Sequence, residues 1–274
     1  MAVVKKMDYK ALGAKKIHRP GKKPKRILVY ARNKKGKTRF AYSAALLGKL
    51  LYLDPEVGTE ELPDDAEIWP INKWEDIDEA FKFLRSGQHD YEWVCVDGLT
   101  RIANMALRYV MNQQEERDLD RQPGMVQQRD YGKAGELMKG MLFNFHNLPM
   151  GVIYTAQERQ ETAGEFDESD TDVEHAEVRW VPDLPKGVRS AVNAIVNAIG
   201  RVYTVRIEHP TKADQIITQR RLWIGPSEQF DTGIRSKVKG NVIIPDYIKN
   251  PTVGKLLEVM ETGTVTQPAR KAAK

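Results

Sequence analysis

Short apolar runs alternate with amphipathic stretches along most of this chain. The first run, "RILVY", has β-branched residues and no polar alternation, the pattern of a strand buried on both faces. Behind it, "KTRFAYSAALLGKLL" spaces Phe40, Ala44, Leu47 and Leu51 as one helical face. A second strand is predicted near Leu51 in "LYLDPEVGT", ending in a turn at residues 55–58. "EIWPINKW" is a weaker strand that Pro70 confines to an edge or an end. "WEDIDEAFKFLRSG" predicts a helix with Ile77, Ala80, Phe81 and Leu84 inward and Gly87 as its stop. "YEWVCVDGLTRI" predicts a strand halting at Asp97 and Gly98, then a helix over residues 100–111.

A polar connection, "NQQEERDLDRQPGMVQQRDYG", leads to a predicted helix, "KAGELMKGMLFNFHN", and then to a strong strand, "MGVIYTAQER". "ETAGEFDESDTDVEHAE" is acidic and turn-prone, and reads as a loop. "RVYTVRIE", "QIITQRRLWIG" and "NVIIP" predict strands in hairpin-like succession, followed by a short helix, "TVGKLLEVME". Alternating strands and helices followed by several strands predict an α/β fold. Its sheet is mostly parallel and flanked by helices, with an antiparallel C-terminal extension.

Composition narrows the class. With 274 residues, 41% hydrophobic and 30% charged, the chain can bury a sizeable core. No apolar run approaches the roughly 20 residues of a membrane span, and the N-terminus lacks the apolar centre of a signal peptide. A cytoplasmic protein with no membrane partner is expected. Cys95 is the sole cysteine, set in "WVCVD", and is expected to be a buried small hydrophobe. Residues 1–26 hold ten Lys or Arg and one acid, Asp8, a charge of +9; residues 27–274 therefore carry −4 of the formal +5. The basicity belongs to a predicted flexible arm, residues 1–25, which should be drawn to polyanions.

The specific motif is the loop behind the first strand. Ala31, Arg32, Asn33, Lys34, Lys35, Gly36, Lys37 and Thr38, followed by Arg39, match G-x-x-x-x-G-K-[ST] except at the first glycine, which is Ala31. Gly36 lets backbone approach phosphate oxygens, Lys37 places an ammonium on the β/γ-phosphates, and Thr38 offers a hydroxyl to Mg²⁺. Alanine replaces the first glycine at little cost if the backbone there keeps negative φ. Lys34 and Lys35 are expected to point outward and raise anion affinity without filling the cradle. Asp97, after four mainly apolar strand residues, is placed to serve the metal as a Walker B acid. Glu56 is the candidate general base, with Asp54 competing for the role. Gln157, preceded by Thr155, ends a strand where an amide can sense a γ-phosphate.

These landmarks, in "ILVYARNKKGKTRFA", "LYLDPEVGT", "YEWVCVDGLTRI", "RDYGKAGELMKGMLFNFHNLPMGVIYTAQERQE" and "VPDLPKGVRSAVNAI", resemble RecA-like P-loop ATPases. The nearest likeness is to phage-encoded AAA nucleotide-binding proteins, including the Sak-type single-strand-annealing group. The resemblance implies a RecA-like ATPase domain over residues 26–260 and a flexible tail over 261–274, in a bacterial host cytoplasm. ATP and Mg²⁺ are its cofactors; Lys37 and Thr38 bind phosphate and metal, Asp97 is the Walker B acid, Glu56 the catalytic glutamate and Gln157 the sensor. The implied partners are single-stranded DNA, further copies in a ring or filament, and a single-strand-binding protein. A basic residue reaching in from a neighbouring copy is expected among Arg235, Lys237 and Lys239. The acids from Glu161 to Asp172 would repel DNA, which shifts the expected DNA contacts to the arm, Arg159 and the stretch 113–130. The competing reading is a nucleotide-gated loader or regulator whose partner is another protein; a small-molecule kinase is disfavoured by the lack of an arginine-rich lid.

Overall fold

The computed structural model describes residues 24–265 except 57, 119, 163–177, 210, 212–214 and 239–241. Nearly all of the basic arm, most of the acidic run, Lys239 and most of the tail thus lie outside the described residues.

The first five strands are β1 (Arg26–Ala31), β2 (Leu50–Asp54), β3 (Ile68–Pro70), β4 (Trp93–Asp97) and β5 (Gly151–Thr162). Five more follow: β6 (Val178–Pro182), β7 (Ala198–Glu208), β8 (Ile216–Trp223), β9 (Gly233–Ile234) and β10 (Tyr247–Lys249). The sheet runs β10-β8-β7-β1-β5-β4-β2-β3, with β6 on β5 and β9 on β7. Pairing is parallel from β7 through to β3 and antiparallel for β7–β8, β8–β10, β7–β9 and β5–β6.

Among the described residues the α-helices are α1 (Lys37–Tyr42), α2 (Trp74–Ser86), α3 (Leu99–Arg117), α4 (Gln128–His146), α5 (Lys186–Ile195) and α6 (Val253–Thr262). Strand alternation divides the core into two layers. Leu28, Tyr30, Leu53, Val96 and Tyr154 face α2, α3, α4 and α5, whose buried stripes include Ile77, Ile102, Leu142 and Val188. Val29, Ala31, Tyr52, Cys95 and Ile153 face α1 and α6 through Phe40, Leu256 and Met260. Because both faces are covered, the central strands lack polar positions, which is why they read as continuous apolar runs. Cys95 is buried, as its setting predicted. Among the described residues, no helix is long and apolar enough to cross a membrane.

Several predicted boundaries move. The first helix stops at Tyr42 and passes into a 3-10 turn, Ser43–Leu46, instead of continuing to Leu51. Ser43 Oγ donates to Phe40 O and accepts Val253 N at 2.8 Å, docking α6 at that bend. The Lys49 carbonyl takes bonds from Glu92 N and Trp93 N, drawing the next residues into the sheet. Leu47 is consequently exposed and Leu51 is a strand residue. Phe81 is only partly buried. α3 extends to Arg117 and α4 begins at Gln128, so helix takes up both ends of the predicted polar connection. An Arg121–Asp130 ion pair, fully buried, ties the remainder together. β5 runs through Glu161 to Thr162, further than predicted.

"NVIIP" is not a strand where described; Ile243 is exposed and the pairing segment is β10 beyond it. Pro245 has no N–H for a ladder and restricts Ile244. β6, the two-residue β9 and α5 went unpredicted, although Val188, Val192 and Ile195 of α5 do recur at helical spacing.

Candidate active site

The phosphate loop springs from the C-terminal end of β1, where Ala31 lies directly beside Gln157 of β5. Ala31 is a fully buried strand residue and is not among the left-handed positions, so the missing glycine leaves no strain there. Left-handed φ falls later, at Lys34 (60°) and Gly36 (96°). Gly36 tolerates that geometry freely; Lys34 does not. Lys34→Gly is expected to stabilise the protein by roughly 0.5–1 kcal/mol, the relief of left-handed strain less the entropy of the glycine. A higher urea midpoint with unchanged slope is the check; a lower midpoint would mean that Lys34 contacts outweigh the strain.

Lys37 Nζ donates to the Ala31 and Arg32 carbonyls at 3.2 and 3.3 Å, so the ammonium is held across the mouth of the loop. Burial pulls its pKa down, while Asp97, Glu56 and Glu158 pull it back. The other loop cations diverge. Lys34 is exposed and borders the cavity. Lys35 turns to β7 and donates to Thr204 Oγ1 at 3.2 Å. Arg32 pairs with Glu158 at 3.1 Å and lies 4.5 Å from the Trp180 ring centre. Asn33 borders the cavity and Arg39 is exposed.

β5 separates the loop strand β1 from β4, leaving room at the sheet edge for a converging set of side chains. Asp97, at the end of β4, is held by three hydroxyls. Thr38 Oγ1 donates to its Oδ2 at 2.9 Å, Tyr52 OH to the same oxygen, and Thr155 Oγ1 to Oδ1. Asp54 is buried, accepts Glu56 N at 2.9 Å in the turn and does not line the cavity. Glu56 instead lines the cavity together with Gln157, whose side chain favours the ionised carboxylate. A Cβ on Gly98 would stand 3.0 Å from Glu56 Oε1, so that glycine makes space for the carboxylate. Desolvation and then the Asp97 charge push the Glu56 pKa up, with Lys37 opposing.

The result is a cavity of about 440 Å³ that brings together Lys37, Thr38, Glu56, Asp97 and Gln157. Glu60 and Glu61 also reach it; they lie in an acidic turn with no motif, and sequence reasoning missed them. So did Tyr52, hidden as an apolar strand residue. Thr38 and Asp97 supply hard oxygen donors suited to Mg²⁺. Among the described residues no cluster of three or more His, Cys, Asp or Glu could hold a metal, so phosphate oxygens and water would complete the shell. Arg235 and Lys237 lie elsewhere: Arg235 donates to Ala194 O at 2.7 Å at the end of α5, and Lys237 is 4.0 Å from Glu261. Arg159 is engaged by Glu161 and Asp183.

A mostly parallel sheet, a phosphate loop after its central strand and a carboxylate two strands away define a P-loop ATPase core. Residues 23–236 match the family model described as an AAA domain, and the chain belongs to that family. Among solved structures, the flagellar accessory protein FlaH from Methanocaldococcus jannaschii is similar, with 10% identity and a TM-score of 0.33 over 73% of this chain and 77% of that one. The cytoplasmic domain of EssC is similar at 12% identity and a TM-score of 0.29, over 76% of this chain and 37% of that one. No curated protein matches the chain.

Proposed function

We propose that the chain is a Mg²⁺-dependent, RecA-like ATPase that acts on single-stranded DNA in phage recombination or annealing. The observation carrying the ATPase reading is the cavity that gathers Glu56 and Gln157 with Lys37, Thr38 and Asp97 at the phosphate loop. Glu56 accepts a proton from water as the water oxygen bonds to the γ-phosphorus; the bond from that phosphorus to the ADP oxygen breaks, and phosphate leaves. Lys37 stabilises charge on the β/γ oxygens, and bound Mg²⁺ supplies Lewis acidity at the same oxygens. Gln157 lines the same cavity as Glu56, so γ-phosphate occupancy is felt at the head of the outer half of β5. That half-strand leads to Thr162 and the acidic run.

The arm over residues 1–25, with a charge of +8, supports the DNA assignment, because a dense cationic segment gains affinity for nucleic acid by counterion release. Assembly into a ring or filament, and cooperation with a single-strand-binding protein, belong to the same proposal. The test is ATP hydrolysis by the full chain with and without single-stranded DNA over a salt series. DNA-stimulated turnover that fades steeply as salt rises is the expected result. Turnover that ignores DNA even at low salt, with no DNA binding, would replace DNA by a protein partner docking on the acidic run.

A further inference from the structure

The β7–β8 hairpin stands over the phosphate loop on the flank away from Glu56 and Asp97. In the sheet, β7 and β8 lie to one side of β1, while β5 and β4 lie to the other. Two paired residues of the hairpin touch the loop. Thr204 of β7 accepts the Lys35 ammonium at 3.2 Å. Arg220 of β8, directly opposite Thr204, lays its side chain against Gly36. A Cβ on Gly36 would be 2.7 Å from Arg220 Nε and 3.5 Å from its Cζ. The absence of a side chain at Gly36 therefore admits a guanidinium to the phosphate loop.

Other arginines of this region are engaged. Arg201 pairs with Glu158 at 2.9 Å, and Arg221 donates to Gln219 while lying 4.4 Å from the Tyr247 ring centre. Arg220 forms no ion pair among the described residues. It adds a fourth cation to Lys34, Lys35 and Lys37; Glu56 and Asp97 line the cavity on the other flank, and Glu158 is taken up by Arg32 and Arg201. Like charges held this closely repel one another, and an anion of high charge between them converts the repulsion into binding.

We propose that Arg220 is a nucleotide-binding residue supplied by the chain's own hairpin, gripping the α- and β-phosphates of a nucleoside di- or triphosphate. A guanidinium forms paired hydrogen bonds to phosphate oxygens, which a lysine cannot reproduce. The assignment to α and β follows from the flank: the reacting end belongs to Thr38, Glu56, Asp97 and Gln157 across the loop. It rests on the nucleotide-site reading given above.

The test is calorimetric titration of the full chain with Mg²⁺-ADP and Mg²⁺-ATP, for wild type, Arg220→Ala, Arg220→Gln, Arg220→Lys and Lys37→Ala. Loss of Arg220 is expected to weaken ADP and ATP by the same factor, about tenfold or more. Arg220→Gln should behave like Arg220→Ala while keeping the stem packed on Gly36, which separates lost affinity from lost structure. Arg220→Lys should recover only part. Weakening of ATP alone would place Arg220 on the γ-phosphate and overturn the assignment. Normal nucleotide binding that Lys37→Ala abolishes and the Arg220 variants retain would overturn this inference by itself. A wild-type chain that binds neither nucleotide would overturn it together with the ATPase reading.

Discussion

Lys37→Ala is expected to abolish ATP hydrolysis and weaken Mg²⁺-ATP binding by about 10²-fold or more, the scale of losing one strong charged donor in a closed site. The ammonium already sits on the Ala31 and Arg32 carbonyls, so the loop is built around it before nucleotide arrives. Two opposing effects fall on the folded protein without nucleotide. Burial disfavours the charge, as the lowered pKa records, while the two carbonyl bonds favour it. Removing both together should leave the thermal midpoint without nucleotide nearly unchanged. The nucleotide-dependent part behaves differently. A ligand at a hundred times its dissociation constant stabilises by about 2.7 kcal/mol, which is several degrees for most domains. Thermal scans with and without Mg²⁺-ATP should therefore show a wild-type shift that Lys37→Ala lacks. An equal shift in both would move the site away from this loop.

Much of the fold is legible in sequence because burial on both faces leaves a plain signature. "RILVY", "WVCV" and "GVIYT" are central strands and Asp97 falls at the C-terminal end of its strand as read, whereas Gln157, read as a strand end, lies within β5, which runs on to Thr162. The loop motif fixes Lys37 and Thr38 for the same reason: a phosphate cradle needs particular residues at particular spacing. What escaped depends on contacts between distant segments. The first helix ends early because α6 docks at Ser43, some 210 positions along the chain. Asp54 and Glu56 cannot be ranked from "LDPE"; the turn decides, burying Asp54 as an acceptor and leaving Glu56 beside Gln157. Tyr52 reads as one more apolar strand residue, and its hydroxyl acquires a role only where β2 runs beside β4 and Asp97. Arg220 is equally silent, since strand register alone brings it to Gly36.

Glu56→Gln is expected to reduce turnover by about 10²–10⁴-fold while retaining nucleotide affinity, the behaviour of a lost general base. The amide keeps the shape of the carboxylate beside Gly98, so binding and the loop geometry persist. The pH profile separates this role from a packing role. The Glu56 pKa is raised first by desolvation and next by Asp97, so wild-type kcat/KM should rise with pH through a limb above the ordinary value of 4.5. Glu56→Gln should lose that limb along with the rate. Stability carries the same sign. A folded-state pKa above the unfolded one means that the folded protein binds the proton more tightly, and this contribution is lost as pH rises through the folded value. At neutral pH the ionised carboxylate, close to Asp97, therefore opposes folding. The glutamine variant should be slightly more stable than wild type there, with the difference closing in acid. Urea midpoints at two pH values measure it. A variant that turns over normally and keeps the acidic limb would transfer the base to Glu60 or Glu61, the other carboxylates that reach the cavity.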